Sequence, residues 1–323
     1  MITFQDALTL INQHIAEIKY PAEPQKLYAP MAYLLTSNGK KIRPALTLLG
    51  CNLFKDEVGE AINTALAWEI FHNFTLMHDD VMDKADTRRG RPTVHKKWDE
   101  NTAILSGDEM LITAYTFLAR APEKHLKALL DLFSATATGI CEGQEYDMSF
   151  ENRLDVSEHE YLHMITFKTA VLLGACLRSG ALLGGASVLD QQYLYDFGVQ
   201  LGIAFQIQDD WLDVYGDPKL FGKTIGGDIS CNKKTWLLVN ALNTSQTKEK
   251  EELLRWLNVS DQKEEKIEAI TQIYNRLGLK EKAQEAMDRY YRKALAVLDA
   301  VSVPAEKKTV LLQLAEELMN RKS

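Results

Sequence analysis

Apolar residues recur at three- and four-residue spacing through most of the chain. Residues 61–80 (AINTALAWEIFHNFTLMHDD), 125–140 (HLKALLDLFSATATGI) and 280–301 (KEKAQEAMDRYYRKALAVLDAV) show it most plainly, and this is the period by which a helix buries one face. Alternating strand patterns closed by Asn-Gly or Asp-Gly turns are hard to find, and no strand–helix alternation suggests a parallel sheet. Prolines cluster early (Pro21, Pro24, Pro30, Pro44) and are absent between Pro122 and Pro218 and between Pro218 and Pro304. Two long stretches are therefore free of the residue that breaks a helix interior. The pattern predicts an all-α protein with roughly ten or more helices of the usual ~11–12 residues. From about residue 247 the chain is richer in Lys and Glu (KEKEELLRWL, DQKEEKIEAI), as solvated outer helices are.

Composition narrows the class. The 323 residues are 46% hydrophobic and 25% charged, near the average for a globular protein, which argues against disorder or a disulfide scaffold. No repeat, linker or low-complexity segment divides the chain, so a single domain over residues 1–323 is expected. Cys51, Cys141, Cys176 and Cys231 lie far apart with no CxxC pair, which fits a reducing cytoplasm. The start, MITFQDALTLINQH, lacks a basic region followed by an apolar run. The most apolar stretch, AVLLGACLRSGALLGGA, carries Arg178 and several glycines and falls short of the ~20 clean apolar residues of a membrane span. A soluble cytoplasmic protein with no transmembrane segment is expected. The formal charge of −8 has the wrong sign for nucleic-acid backbones, so any anionic ligand must be held by local cations.

Two motifs are set aside. His159-Glu160-Tyr161-Leu162-His163 matches HExxH, which can hold zinc, but the glycine and third histidine of the metzincins are missing and the next glutamate is Glu249. It is read as a solvated helix N-terminus. Gly216–Thr224, GDPKLFGKT, has five residues between its glycines where a phosphate-binding loop has four, and it follows an acidic helix-like segment instead of a strand.

The chemistry lies in a repeated acidic motif. Asp79-Asp80-Val81-Met82-Asp83 ends an apolar helix, and Asp209-Asp210-Trp211-Leu212-Asp213 repeats the DDxxD spacing far downstream. Residues four apart share a helix face, so Asp79 with Asp83, and Asp209 with Asp213, point two carboxylates in one direction. Like charges 4 Å apart repel by about 4 kcal/mol at an effective dielectric near 20 unless they protonate or bind cations. Hard oxygen ligands favour Mg²⁺, which bridges carboxylates to a substrate phosphate. Either motif alone is equally well read as acidic helix surface. Cations nearby decide the matter: Lys40 and Arg43 upstream, Arg88 and Arg89 directly after the first motif, Lys168-Thr169 between the two, and Lys223 and Lys233 after the second. Such a set describes a pocket for a multiply charged phosphate. Phe71, Phe74, Thr75 and His78 precede Asp79 on the same helix, most of them on its face, which suits a diphosphate carrying a hydrocarbon tail.

These residues resemble the trans-isoprenyl diphosphate synthases, or polyprenyl synthetases, of the short-chain geranylgeranyl and farnesyl type. The matching runs occur in order: NGKKIRP at 38–44, EIFHNFTLMHDDVMDKADTRRGRPTVH at 69–95, GQEYD at 143–147, FKTA at 167–170 and FQIQDDWLDVYGDPKLFGKTIGGDI at 205–229. Asn38 and Asn232 stand where the family often has glycine, and Lys41 where it often has arginine. The resemblance implies the isoprenoid synthase fold, a helix bundle around a deep central cavity, usually as a homodimer. It implies that Asp79 and Asp83 hold two Mg²⁺ ions and Asp209 a third, with Asp80, Asp210 and Asp213 supporting them. Arg88, Lys168 and Lys223 would grip the allylic diphosphate, and Lys40, Arg43, His72 and Arg89 that of isopentenyl diphosphate. Lys233 would add charge at the mouth. Thr169 and Gln206 resemble the dipoles that stabilise an allylic cation.

Product length follows less directly. Phe74 lies ~7.5 Å along the helix axis from Asp79, and Phe71 nearly a turn farther. A bulky aromatic at this position acts as a floor in the family, favouring products of fifteen or twenty carbons, geranylgeranyl diphosphate foremost. The other reading makes Phe74 core packing and puts the floor near Leu111, Ala114 and Tyr115. A longer-chain synthase or a class I terpene cyclase would share the metal chemistry, but a cyclase does not need the second diphosphate site of Lys40, Arg43 and His72. A non-catalytic regulatory subunit would typically have lost acidic motifs that are intact here.

Overall fold

The structure, a computed structural model, describes residues 1–217 and 225–320. Among these residues every regular element is helical except one two-stranded hairpin. The chain folds as two compact units.

The first unit comprises residues 1–133, 175–194 and 302–310. Its axis is helix α4, Ile62–Met82, preceded by α1 (Phe4–Ala16), α2 (Gln25–Leu35) and α3 (Ile42–Asn52) and followed by α5 (Val94–Lys97) and α6 (Glu100–Leu118). Along its N-terminal half α4 is buried on every side, from Thr64 to Phe71, as expected of a core helix and not a half-solvated one. Beyond that point it carries an aromatic column. Trp68 stacks on Phe133 with ring centroids 4.8 Å apart, Phe71 meets Phe133 edge-on at 5.1 Å, and Phe74 meets the His78 ring at 4.8 Å. Tyr115 of α6 closes on Phe133 at 4.7 Å. Two early prolines do not break helices. Pro44 sits in the first turn of α3, where its missing N–H costs nothing, and Pro30 is buried within α2.

After α4 comes the hairpin, β1 (Thr87–Arg88) paired antiparallel with β2 (Arg91–Pro92). Its turn residues Arg89 and Gly90 have φ of 52° and 73°, the two positive angles of the tight turn that matches strand twist. Strands of two residues leave no alternation to read, and Arg-Gly is not the usual turn pair, which is why the hairpin departs from the sequence expectation.

The second unit comprises residues 134–174, 195–301 and 311–323. It contains most of α7 (Glu123–Phe150), all of α8 (Glu158–Ile165), most of α10 (Val188–Tyr215), and helices over Trp236–Thr244, Thr247–Leu257, Lys263–Arg276 and Leu279–Asp299. Its core gathers Ile165, Ile203, Ile207, Trp236, Ile273 and Tyr274. Helix α8 continues through a π-helical turn, Thr166–Ala170, into α9, Val171–Gly184. The run Glu158–Gly184 is long and apolar enough to cross a membrane, but 67% of its apolar window is buried within the fold.

Candidate active site

The first acidic motif ends α4. Asp79 accepts the N–H of Asp83 through its backbone oxygen at 2.8 Å, making Asp83 the C-cap. Carboxylates at this end lie at the negative pole of the helix dipole, so the motif is destabilised unless cations meet it. Asp80 is buried at 2% exposure and turned away from solvent, and the Arg88 Nε donates to its Oδ1 at 2.7 Å. Burial pushes the Asp80 carboxyl up, and the Arg88 charge and hydrogen bond pull it back. Asp79 is half-buried and Asp83 exposed.

The hairpin turn sends its two arginines to different partners. Arg88 goes to Asp80, and Arg89 donates to Ser37 Oγ at 2.9 Å. Arg89 crosses so close to Gly39 that a Cβ there would lie 2.7 Å from its Nη1. At the start of α3, Arg43 donates to Nε2 of His72 at 3.1 Å. Beneath this cluster is Glu69, 2% exposed, which accepts from Asn73 Nδ2 at 3.0 Å and feels the charges of Arg89, Arg43 and Lys41. Burial raises the Glu69 carboxyl and lowers both arginines. Sequence reasoning missed Glu69, although a lone acid at turn spacing from His72 and Asn73 on a buried helix is a visible signal. Lys40 is exposed just before α3. Thr75 turns its hydroxyl back onto the His72 carbonyl at 2.8 Å.

In the second unit α10 presents the other motif. Asp209 is half-buried, while Asp210 and Asp213 are buried at 3% and 9% exposure. Asp210 Oδ2 accepts from the Tyr161 hydroxyl at 2.5 Å and the Trp236 N–H at 2.7 Å, and its Oδ1 accepts from Gln206 Nε2 at 3.3 Å. Burial, with the Asp228 charge second, raises the Asp210 carboxyl to about 7 against the pull of those hydrogen bonds. Asp213 Oδ2 accepts from the Asp228 N–H at 3.0 Å. Lys233 lies 3.8 Å from Asp228.

Lys168 and Thr169 sit in the π-turn, a rare geometry that is frequent at functional sites. Lys168 Nζ pairs with Asp147 at 2.5 Å, and the Thr169 hydroxyl meets Gln206 Oε1 at 3.4 Å. The GQEYD run explains how this turn is seated. A Cβ on Gly143 would lie 2.3 Å from the Lys168 nitrogen, so only glycine lets α7 approach that far, and Asp147 one turn on supplies the partner for the lysine. Asp147, Lys168, Thr169, Gln206, Asp210 and Lys233 all line one cavity of ≈ 70 Å³. A larger cleft of ≈ 520 Å³ in the first unit, between the end of α1 and the far end of α6, includes none of the sequence-predicted residues; chemistry, not volume, marks the site. Lys223 and most of the GDPKLFGKT run lie outside the described residues.

The HExxH motif is a capping box. Ser157 and Glu160 exchange hydrogen bonds at the start of α8, and these, with Arg153, hold the Glu160 carboxyl down at about 2. His163 is spent on ring contacts with Phe167 and Tyr146. Among the described residues no three His, Cys, Asp or Glu side chains converge as a metal cage. Zinc needs such a cage, whereas Mg²⁺ takes one or two carboxylates and completes its shell with water and substrate phosphate. The all-oxygen donor sets of the two motifs fit the second pattern.

A chain whose described residues are almost wholly helical, with paired aspartate motifs and arginine clusters, defines a class of diphosphate-handling enzyme. The chain belongs to the polyprenyl synthetase family, whose profile matches residues 24–276. It is 36% identical over 313 residues to a short chain isoprenyl diphosphate synthase of Methanothermobacter thermautotrophicus, covering 97% of this chain and 95% of that one. A crystal structure of geranylgeranyl pyrophosphate synthase superposes with a TM-score of 0.95 at 41% identity, covering 100% of both chains. That of geranylgeranyl pyrophosphate synthetase from Pyrococcus horikoshii gives 0.93 at 31% identity, covering 98% of this chain and 97% of that one. The fold is the isoprenoid synthase fold, and prenyl diphosphate synthases of this family are generally Mg²⁺-dependent.

Proposed function

We propose that this chain condenses isopentenyl diphosphate head-to-tail with an allylic diphosphate, giving an all-trans polyprenyl diphosphate of fifteen to twenty carbons, with geranylgeranyl diphosphate favoured. The observation that carries the reading is that a member of the polyprenyl synthetase family keeps both DDxxD motifs intact, with cations for two diphosphates around them. The two units serve one catalytic domain, acting as a homodimer.

Asp79, Asp83 and Asp209 hold about three Mg²⁺ ions, with Asp80, Asp210 and Asp213 shaping the motifs. Bound Mg²⁺ supplies Lewis-acid stabilisation of the leaving diphosphate. Arg88, Lys168 and Lys223 grip the allylic diphosphate and draw its charge away as the carbon–oxygen bond breaks, an interaction stronger in the transition state than in the bound ester. Lys40, Arg43, His72 and Arg89 hold isopentenyl diphosphate, and Lys233 adds charge at the mouth. The electron pair of the broken bond leaves with the diphosphate. The isopentenyl double bond attacks the allylic carbon, and the proton lost from the new chain goes to the released diphosphate. Thr169 and Gln206 direct dipoles at the cation, and the site excludes water that would trap it. Phe74, with Phe71 and Thr75, limits the tail.

Chromatography of the products made from isopentenyl diphosphate with dimethylallyl, geranyl or farnesyl diphosphate and Mg²⁺ tests the reading. A C20 diphosphate as the main product supports it; no extension of any starter would refute it.

A further inference from the structure

We propose that Tyr161 and Asp210 are positioning residues for this reaction: together they fix the side-chain amide of Gln206 so that its carbonyl oxygen, beside Thr169, is the group presented to the developing allylic charge. The inference rests on the proposed function; it gives Tyr161 a job outside the metal chemistry and Asp210 a second one besides supporting its motif.

Gln206 can face either way, and its partner decides. Gln206 Nε2 donates to Asp210 Oδ1 at 3.3 Å, which turns the amide nitrogen toward Asp210. Oε1 is then left on the Thr169 side, 3.4 Å from that hydroxyl. Asp210 is in turn immobilised on its other oxygen by Tyr161 and Trp236 at 2.5 and 2.7 Å. It is 3% exposed and accepts from three donors, while Asp209 beside it is half-buried.

Tyr161 supplies the link that Asp210 cannot make alone. It is 1% exposed, and a buried phenol needs a hydrogen-bond partner. It stands on α8, in the continuous helical run that carries Thr169, whereas Gln206 and Asp210 lie one turn apart on α10. Two bonds, Tyr161 to Asp210 and Thr169 to Gln206, therefore pin the π-turn to α10. All four side chains line the ≈ 70 Å³ cavity, space for about two waters at roughly 30 Å³ each. Without the tether, the Gln206 amide has room to turn its N–H₂ toward the cation, where a positive dipole end would oppose ionisation.

The test compares wild type with Tyr161→Phe, Asp210→Asn and the double variant. The measurements are kcat, KM for both diphosphates, the Mg²⁺ concentration for half-maximal rate, and the thermal midpoint. Tyr161→Phe keeps the ring packing and removes one donor. It is expected to lower kcat about tenfold, the scale of losses when a supporting hydrogen bond is removed, with KM values and Mg²⁺ half-saturation within about twofold of wild type. Asp210→Asn should show the same pattern, and the double variant should be no worse than Asp210→Asn alone, because the two act through one amide. A Tyr161→Phe enzyme with wild-type kcat, multiplicative losses in the double variant, or a large rise in Mg²⁺ half-saturation for Asp210→Asn overturns the inference. The last result would make Asp210 a direct metal ligand. A wild-type chain that condenses nothing overturns the proposed function itself, and the variants are not needed to see it.

Discussion

Nη1 of Arg43 donates to Nε2 of His72 at 3.1 Å. A guanidinium has no acceptor, so the imidazole accepts at Nε2 and carries its proton on Nδ1. Burial, reinforced by the charges of Arg43, Arg89 and Arg88, holds the His72 pKa well below its usual 6.5. A neutral His72 can donate Nδ1–H to a diphosphate without adding another buried charge to an already cationic cluster.

A pH dependence follows. The unfolded chain protonates His72 as pH falls through about 6.5, and the folded chain does not. The unfolded state therefore binds more protons in acid, so this residue's contribution to stability is present above pH ~6.5 and lost below it. Glu69, Asp80 and Asp210 are shifted upward and act in the opposite sense, so the measurement is a difference. Wild-type stability relative to His72→Asn should rise with pH by up to about 1.4 kcal/mol per unit below pH ~6.5 and flatten above it. Urea unfolding over that range checks the slope; a flat difference would mean His72 titrates normally in the folded chain.

Asp80 depends on Arg88. Replacing Arg88 with methionine leaves a carboxylate of 2% exposure without its ion-pair partner. The expected loss is about 2 kcal/mol, within the range for a charged hydrogen bond, read from the urea midpoint. Arg88 is partly exposed, so the loss should stay below the ~3–5 kcal/mol of a fully buried pair. Asp80→Asn in the same background should recover part of it, because the stranded charge is gone.

Gly143→Ala puts a methyl 2.3 Å from the Lys168 nitrogen. Backbone must move to admit it, at a cost of about 1–3 kcal/mol. The displaced π-turn carries Lys168 and Thr169, so product formation should fall more than the thermal midpoint alone explains. An alanine variant with unchanged kcat would show that the turn tolerates the shift.

Phe74→Ala should lengthen the products. The ring is half-buried between Phe71 and His78, at 5.7 and 4.8 Å, and lies on the helix that carries Asp79. Chromatography of labelled products should show chains beyond C20. An unchanged distribution places the floor elsewhere, as in the other reading, near Leu111, Ala114 and Tyr115 of α6.

The helical period made α4, α7 and the helix at Leu279–Asp299 legible to within a turn or two, except at the C-terminal end of α7, because burying one face leaves a trace at every third or fourth residue. The acidic motifs and cations were legible because charge on an apolar helix is conspicuous. What escaped were features fixed by single contacts. The hairpin rests on positive φ at Arg89 and Gly90, and the π-turn on the absence of a side chain at Gly143. Asp147 and Tyr161 each serve a side chain on another segment, and spacing along a helix does not reveal such a partner; Glu69 was legible by its spacing from Asn73 and was passed over.

The most direct test of the central claim is the release of inorganic diphosphate, measured against isopentenyl diphosphate consumed. With both substrates and Mg²⁺, one diphosphate should appear for each isopentenyl unit added, and none when the allylic diphosphate is supplied alone. Release of diphosphate and hydrocarbon from the allylic substrate by itself, or no release under any combination, would contradict the condensation.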